Sequence, residues 1–375
     1  MAGIYIHIPF CKQACTYCNF HFSVSLKNKT AFIDALLKEI NTQQNFISDK
    51  NIETIYFGGG TPSILITEEL SSIFDALVKN FSIDENAEIT LEANPDDITK
   101  NILKDWKGVG INRLSVGLQS FNETELKWMN RAHNATQSLQ CLDDITEAGF
   151  DNYSVDLIYG SPLQSNEDLK NNFELIAERN IPHISCYALT VENGTILNKL
   201  IKENKSPVID NERQAEQFYY LLEMMKNTGY EQYEISNFSK PNYRSKHNSS
   251  YWKSKPYYGF GPSAHSYNGK DTRRWNISNN GLYIQSLDKN IVPYEEEILT
   301  LKDCINEFVM ISLRTVEGIN LKTFEQQFGL QEVERILKTA EKFIVQNKIE
   351  VSNSYLRLTN EGKYFADGIA GDLFC

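Results

Sequence analysis

Short runs rich in β-branched and aromatic residues alternate with longer runs of helical period along the first half of the chain. This alternation is typical of β/α units wound around a parallel sheet. The pattern predicts six strands, at residues 3–8, 52–57, 88–93, 113–117, 153–158 and 183–189. Helices are predicted between them, among others at residues 31–45, 68–80, 135–148 and 167–179. Thr67 and Asn166 are placed to cap two of these helices. A closed barrel has eight such units, so six predict an open, partial (β/α)6 barrel with its chemistry at the carboxyl ends of the strands.

The periodic pattern weakens after about residue 200. A single helix is predicted at residues 212–227, within a polar and aromatic stretch. Further on, the pattern predicts helices at residues 303–314, 321–328 and 331–347, two short strands around Asn353 and a final helix. Helices followed by a small hairpin indicate a mainly helical, winged-helix-like domain. We therefore predict a barrel at residues 1–200, a connecting segment packed on the barrel at residues 201–298, and the winged-helix-like domain at residues 299–375.

Composition and charge narrow the function classes. Hydrophobic residues make up 41% of the chain and charged residues 23%, which is the range of globular proteins. The net charge of -12 disfavours nucleic acid as a partner. The sequence contains no apolar run near the roughly 20 residues that cross a bilayer, and its start lacks the features of a signal peptide. We expect a cytoplasmic protein with at most peripheral membrane association.

Three of the seven cysteines crowd into one loop directly after the first predicted strand. Cys11, Cys15 and Cys18 have the spacing C-x3-C-x2-C, which indicates a metal site rather than a disulfide framework. Zinc would require a fourth ligand, for which His7 and His21 are candidates. A [4Fe-4S] cluster held by only these three thiolates would leave one iron open to another ligand.

Glycines and polar residues stand at the ends of the next predicted strands. The second strand ends in Phe57-Gly58-Gly59-Gly60-Thr61-Pro62, and glycines at that position allow a ligand to approach the backbone. Glu92, Gln119 and Asp156 lie at the ends of later strands. Taken singly, the glycines would form a tight turn and each polar residue would meet solvent or a backbone group. Four consecutive units with such groups at one rim predict a bound polar ligand.

The cysteine spacing after the first strand resembles that of the radical S-adenosylmethionine (SAM) superfamily. Three cysteines hold a [4Fe-4S] cluster there, and the amino and carboxylate groups of SAM fill the vacant iron position. The glycine motif is similar to the one that contacts the SAM amino group. The resemblance implies a partial radical SAM barrel with a [4Fe-4S] cluster and SAM as cofactors.

Further motifs resemble the oxygen-independent coproporphyrinogen III oxidase family. They are Tyr-Ile-His-Ile-Pro-Phe-Cys at residues 5–11, Asn-Arg-Leu-Ser-Val-Gly-Leu-Gln-Ser-Phe at 112–121, Asn-Arg at 130–131 and Asp-Leu-Ile-Tyr-Gly at 156–160. Matching residues line the SAM site of that family. The resemblance therefore implies a SAM site formed by Tyr5, Tyr17, Gly59, Gly60, Thr61, Glu92, Gln119, Arg131 and Asp156.

Three features resemble the HemW branch of that family, whose members are regarded as haem chaperones. Phe20 stands where the oxidases have a further cysteine, and ten residues precede Cys11 where the oxidases have a longer extension. Residues 247–252 are similar to the branch's H-N-x-x-Y-W motif, so the resemblance implies His247 as a haem ligand. His265 is a second candidate. A histidine beside tyrosine and tryptophan is also commonly a packed, hydrogen-bonded residue.

The resemblance thus implies a haem chaperone that binds a [4Fe-4S] cluster and SAM. It would pass haem to apo-haemoproteins, respiratory enzymes at the membrane surface among them, and a homodimer is one assembly that fits this interpretation. The alternative is a radical SAM enzyme that decarboxylates the propionates of coproporphyrinogen III. A third hypothesis is DNA binding by the helix at residues 331–347, whose acidic and basic residues are too evenly balanced to favour it.

Overall fold

The computed structural model describes residues 1–375 and contains one sheet of twelve strands and one of three. Six parallel strands in sequential order form the centre of the large sheet. They are β1 (Ala2–Ile8), β2 (Asn51–Gly59), β3 (Ser82–Ala93), β4 (Arg113–Gln119), β5 (Tyr153–Tyr159) and β6 (His183–Ala188). All six predicted strands are present, and the third begins six residues before its predicted start at residue 88.

The alternation of side chains along β1 explains how the strand sits in the barrel. Ile4, Ile6 and Ile8 are fully buried in the main hydrophobic core. Because successive side chains of a strand point to opposite faces, Tyr5 and His7 lie on the other face, which is the inside of the barrel. Polar and aromatic groups thereby line the interior, while aliphatic groups pack against the helices.

Eight helices belong to the barrel half of the chain. They are α1 (Lys29–Gln43), α2 (Thr67–Asn80), α3 (Lys100–Val109), α4 (Glu123–Trp128), α5 (Ala135–Glu147), α6 (Asn166–Glu178), α7 (Ile196–Lys202) and α8 (Asn211–Asn227). The predicted caps Thr67 and Asn166 are wrong, because both residues lie within the first helical turn. Ser165 caps α6 instead, and its hydroxyl accepts a hydrogen bond of 3.0 Å from the backbone N–H of Asp168.

The segment predicted as a connection contributes six strands to the large sheet, which corrects its interpretation as a segment merely packed on the barrel. Its elements are β7 (Glu231–Glu234), β8 (Asn237–Ser239), α9 (Lys246–Tyr251), β9 (Tyr257–Phe260), β10 (His265–Tyr267), β11 (Thr272–Asn276), α10 (Asn280–Asp288) and β12 (Tyr294–Ile298). Strand β9 pairs in parallel with β1, and β10, β11 and β12 continue that edge in antiparallel order. Strands β8 and β7 extend the opposite edge beyond β6. Both edges of the six-stranded parallel sheet are therefore extended by further strands.

The carboxyl-terminal region has a hydrophobic core of its own. Its elements are α11 (Leu301–Leu313), β13 (Ile319–Asn320), α12 (Leu321–Phe328), α13 (Leu330–Val345), β14 (Ile349–Ser352), β15 (Tyr355–Leu358), α14 (Asn360–Lys363) and α15 (Ala366–Leu373). On α13, the helix of the DNA-binding hypothesis, Arg335 pairs with Glu332 and Lys342 with Asp372, so two of its basic side chains are engaged within the region. The predicted fold class, a partial barrel followed by a mainly helical winged-helix-like region, is confirmed. No helix combines the length and apolar character that crossing a lipid bilayer requires.

Candidate functional site

A cavity of about 440 Å³ opens at the carboxyl ends of the central strands. It brings together eleven of the residues predicted from the sequence. These are Cys11, Cys15, Tyr17, Cys18, Gly59, Gly60, Thr61, Glu92, Gln119, Arg131 and Asp156. Two predicted residues, Tyr5 and His247, do not line the cavity. Residues far apart in the sequence thus meet at the rim where a parallel barrel carries its chemistry.

The cysteine loop is fastened to the rest of the rim by hydrogen bonds. The backbone N–H of Cys11 donates to the carbonyl of Ser23 at 3.0 Å, and that of Thr16 donates to the carbonyl of Met129 at 3.0 Å. Arg131 donates from Nη1 to the sulfur of Cys15 at 3.2 Å. Met129 and Arg131, in the connection between α4 and α5, therefore hold the cysteine loop in place, and Arg131 puts a positive charge beside the Cys15 thiol.

The thiols do not converge on one metal ion. No three His, Cys, Asp or Glu side chains in the protein surround a point that a single ion could occupy. Tetrahedral zinc needs such convergence, whereas a cubane cluster binds each thiolate through a different iron. The proposed fourth zinc ligands are also engaged elsewhere: Nε2 of His7 bonds to the carbonyl of His21 at 2.8 Å, and Nε2 of His21 bonds to Oδ1 of Asn280 at 2.7 Å. Both residues named as a fourth zinc ligand therefore have a ring nitrogen committed to a hydrogen bond.

The three glycines lie at the end of β2, Gly58 and Gly59 within the strand and Gly60 directly after it, and they pack closely against the end of β1. The backbone N–H of Gly60 donates to the carbonyl of Ile8 at 2.9 Å, and that of Thr61 donates to the carbonyl of Phe10 at 2.7 Å. A Cβ on Gly60 would lie 2.6 Å from the carbonyl oxygen of Phe10. Gly59 has a φ of +105°, a conformation that strongly favours glycine. The motif therefore fixes the backbone directly before the first cluster cysteine.

We expect Gly60→Ala to destabilise the fold by about 1–3 kcal/mol, because its Cβ would push the backbone of Phe10 away. The displacement should also lower the amount of iron retained after reconstitution. Urea unfolding and iron analysis measure the two effects. The matched control is Gly108→Ala on the exposed side of α3, where a Cβ meets nothing within 4 Å and should stabilise the helix by about 0.5–1 kcal/mol. Equal behaviour of the two variants would contradict this account of the motif.

Two carboxyl groups face the cavity with perturbed acidity. Burial is the main cause that raises the pKa of Glu92 to about 7; the hydrogen bond from the Tyr56 hydroxyl opposes the rise and the nearby charge of Asp156 adds to it. Burial likewise raises the pKa of Asp156 to about 6. The charges of Arg113 and Arg131 oppose the rise for Asp156. Nη2 of Arg131 donates to Oδ1 of Asn94 at 2.7 Å. The site thus combines acidic and basic groups in an enclosed space, as binding a zwitterionic ligand requires.

Gln119 reaches the cavity through an irregularity in β4. The register between β4 and β5 shifts between Gly117 and Gln119, and Gln119 has a φ of +67°. Such a bulge redirects a side chain that regular alternation would point elsewhere. Gly117 makes room for it, since a Cβ there would lie 3.0 Å from Nε2 of Gln119.

Sequence reasoning missed several lining residues. Asn94, Ser115 and Tyr187 border the same cavity. Asn94 stands two residues after Glu92, so the period of a strand could have placed both on one face. Ser115 lies in the motif at residues 112–121 and could have been found in the same way. Nothing local marks Tyr187, which lies within β6 next to its last residue.

Tyr5 lies below the cavity on the inner face of β1. Its hydroxyl bonds to Nδ1 of His7 at 3.3 Å, and its ring stacks on Tyr56 with centroids 6.1 Å apart. Burial and the charge of Glu92 raise its pKa. Tyr5 therefore packs against Tyr56, which bonds to Glu92, and does not itself line the cavity.

His247 lies farther down, at the amino-terminal half of the strands. It is 1% exposed, and its Nδ1 and Nε2 bond to the hydroxyls of Thr54 and Tyr251, each at 2.8 Å. Burial and the charge of Arg113 lower its pKa to about 3, so the imidazole is neutral. Haem ligation by His247 stays a prediction, and it requires one ring nitrogen to give up its hydrogen bond to Thr54 or Tyr251.

Comparisons with known proteins identify the family and the fold of the chain. Residues 5–176 match the family model described as the Radical SAM superfamily, and residues 299–365 match that of the HemN C-terminal domain. A protein named Heme chaperone HemW from Bacillus subtilis (strain 168) is 32% identical over 99% of this chain and 98% of its own length. One of the same name from Synechocystis sp. (strain ATCC 27184 / PCC 6803 / Kazusa) is 34% identical over 90% of this chain and 84% of its own length. The solved coproporphyrinogen III oxidase (HemN) from Escherichia coli shares the fold, with a TM-score of 0.86 at 24% identity over 100% of this chain and 90% of that one.

Proposed function

Because this chain belongs to the HemW family of the radical SAM superfamily, we propose that it is a haem chaperone. In this proposal it binds a [4Fe-4S] cluster and SAM, accepts haem and passes it to apo-haemoproteins. The observation that carries the proposal is the similarity to Heme chaperone HemW of Bacillus subtilis, which extends over 99% of the chain rather than over the barrel alone.

The residues of the cavity fit a cluster and SAM. Three thiols of one loop line the cavity, and a cubane that they hold would have one iron open to another ligand. Asp156 Oδ1 and Arg131 Nε, two buried atoms of lining residues, have no partner within the protein. Buried polar atoms without partners are costly, and a polar ligand would relieve that cost. When bound, the cluster and SAM supply one-electron chemistry that side chains alone do not provide.

The chain's own groups would bind and orient the ligand. The carboxylate of Glu92 complements a cationic amino group, and the guanidinium of Arg131 complements a carboxylate. Gln119 and Asp156 offer a donor and an acceptor for sugar hydroxyls. The barrel wall excludes bulk water, which strengthens each of these interactions.

Two histidines remain candidate ligands for haem. His247 is buried, as described above. His265 on β10 is exposed, and its ring stacks on Trp275 with centroids 6.0 Å apart. A neutral imidazole ligates haem iron through a free ring nitrogen, and an indole offers a flat apolar surface to a porphyrin.

The proposal places the protein in the cytoplasm. All seven cysteines are free thiols, and reducing conditions would keep the three in the loop available for a cluster. Recipients at the membrane surface, such as respiratory enzymes, and a homodimeric assembly belong to the same proposal.

Haem binding and transfer by the reconstituted protein test the proposal. We expect one haem to bind per chain under anaerobic conditions and to move to an excess of apo-globin, which absorption spectroscopy follows. His247→Ala and His265→Ala, measured in parallel, identify the ligand as the residue whose loss abolishes the haem spectrum. Decarboxylated product from coproporphyrinogen III, with no stable haem binding, would support the oxidase alternative instead.

A further inference from the structure

The helix that carries His247 closes the amino-terminal end of the barrel. Its first turn is fastened by Glu88, whose carboxylate accepts hydrogen bonds of 3.0 Å from the backbone N–H groups of Lys246 and His247. Glu88 is 4% exposed, and Arg113, which is 1% exposed, lies 3.9 Å from it. The carboxylate holds the helix in one position, because movement of the helix would take two hydrogen-bond donors away from a buried charge. The imidazole of His247 is therefore a fixed part of the barrel interior.

Three aromatic rings stack in a row across this interior. Tyr56 of β2 belongs to both pairs: its ring centroid lies 6.1 Å from that of Tyr5, with 23° between the ring planes, and 5.0 Å from that of His247, with 25° between the planes. A buried ring packed against two others has little freedom to tilt or rotate. Gly58 leaves room for the row, since a Cβ there would lie 2.9 Å from the ring of Tyr56 and 3.0 Å from that of Tyr5.

The middle ring reaches the cavity through its hydroxyl. Tyr56 donates a hydrogen bond of 2.8 Å to Oε1 of Glu92, and the backbone N–H of Gly59 donates to Oε2 at 3.2 Å. Each carboxylate oxygen thus has one donor, and the two donors together fix the plane of the carboxylate. The Tyr56 hydroxyl also opposes the rise in the pKa of Glu92 that burial causes. Losing this donor would leave the carboxylate less oriented and less ionised.

We propose that His247 is a positioning residue of the SAM site, because its stack on Tyr56 holds the hydroxyl that orients Glu92. The inference rests on the SAM-binding part of the proposed function and goes beyond it. It assigns to the haem-motif histidine a role at the opposite end of the barrel. Removal of the imidazole opens one face of Tyr56, and the ring moves into the gap and away from Glu92. A change at His247 therefore alters the SAM site even when no haem is present.

Equilibrium binding of SAM to anaerobically reconstituted variants tests this inference. We expect Tyr56→Phe, which keeps the stack and loses the hydroxyl, to raise the dissociation constant about ten-fold. His247→Ala should raise it by a similar factor. The double variant should bind SAM no more weakly than Tyr56→Phe alone, because His247 acts through the tyrosine hydroxyl. If the dissociation constant of the double variant rises by the product of the two single-variant factors, the proposal is overturned.

His247→Phe separates the stack from the imidazole chemistry. A phenyl ring can cover Tyr56 but bonds to neither Thr54 nor Tyr251, so SAM binding should recover to within about three-fold of wild type. If His247 is the haem ligand, the same variant loses haem. The matched control is His183→Ala, a second buried histidine, which bonds to Tyr233 at 2.7 Å and should destabilise the fold while leaving SAM affinity unchanged. Unfolding midpoints and iron contents of all variants separate lost stability from lost positioning.

The outcomes distinguish the inference from the function it rests on. Failure of the wild type to bind SAM would contradict the cofactor part of the proposed function. Normal SAM binding by the wild type with an unchanged dissociation constant in Tyr56→Phe or His247→Ala would overturn the positioning role alone. Weak SAM binding in His183→Ala to the same degree would also overturn it, since loss of packing would then explain every effect.

Discussion

Exchange of any one of Cys11, Cys15 and Cys18 for serine should abolish iron retention. The wild-type protein, reconstituted anaerobically and desalted, should keep about four irons and four sulfides per chain. A serine hydroxyl is not deprotonated near neutral pH and is a poor ligand for iron–sulfur clusters, which thiolates bind. With one thiolate lost, two remain for a cluster that already depends on three. Iron and sulfide analysis together with the absorption spectrum measures the loss.

Cys304→Ser is the matched control for this experiment. Cys304 is partly buried, as the three loop cysteines are, but it lies on α11 of the carboxyl-terminal region. Its exchange should leave the iron content unchanged. Zinc in place of iron, bound in equal amount to the chain and without sulfide, would contradict the cluster and restore the zinc alternative.

The central barrel and its site were predictable because their signals are local. Each of the six central strands carries its own apolar run, and the cysteine loop, the glycine motif, Glu92, Gln119 and Asp156 stand at or after the ends of such runs. Parallel strands bring their carboxyl ends to one rim, so residues at equivalent places in successive units meet without any knowledge of tertiary contacts. The predicted residues at the strand ends line one cavity for this reason, whereas Tyr17 and Arg131 in the same lining were implied by the family resemblance.

The strands at the sheet edges were not predictable, since they exist through pairing with distant residues. Strand β10 has three residues and β9 has four, and neither has a long apolar run. Strand β9 forms because β1, about 250 residues earlier, offers a free edge, with Ile4 opposite Tyr258. Short strands of mixed composition carry little propensity of their own, and their context decides the outcome.

The environment of His247 was predictable only in part. The spacing of His247 and Tyr251 is that of one helical turn, so their contact follows from the sequence once the helix is assumed. The bond to Thr54 spans 193 residues, and the stack on Tyr56 is similarly distant. These contacts orient the imidazole towards the barrel interior, and a local sequence motif does not show this orientation.

Replacing Glu92 by glutamine should weaken SAM binding about 100-fold, because the carboxylate's charge-assisted interaction with a cationic amino group is lost. The same change should stabilise the SAM-free protein above neutral pH. Below pH 4.5 the carboxyl is protonated in both the folded and the unfolded chain, so its acidity contributes no difference. Between pH 4.5 and about 7 the unfolded chain ionises while the folded one keeps its proton, and the wild type loses stability as the pH rises.

Glutamine does not ionise, so the stability difference between variant and wild type should grow through this window and become constant about one pH unit above the folded-state pKa of about 7. We expect the variant to gain about 2 kcal/mol of stability at pH 8, which is less than the full pKa change implies. Glu92 is only partly buried, so solvent in the cavity screens its charge. The amide of glutamine also cannot accept hydrogen bonds from both Tyr56 and Gly59 as the carboxylate does. Urea unfolding at pH 5 and pH 8, without SAM, measures the gain. A pH-independent difference would show that Glu92 titrates normally in the folded protein. An unchanged SAM affinity would show that the Glu92 carboxylate does not bind SAM. A buried charge that lowers stability is expected where a ligand uses it, so a lower affinity together with higher stability would support the proposed role.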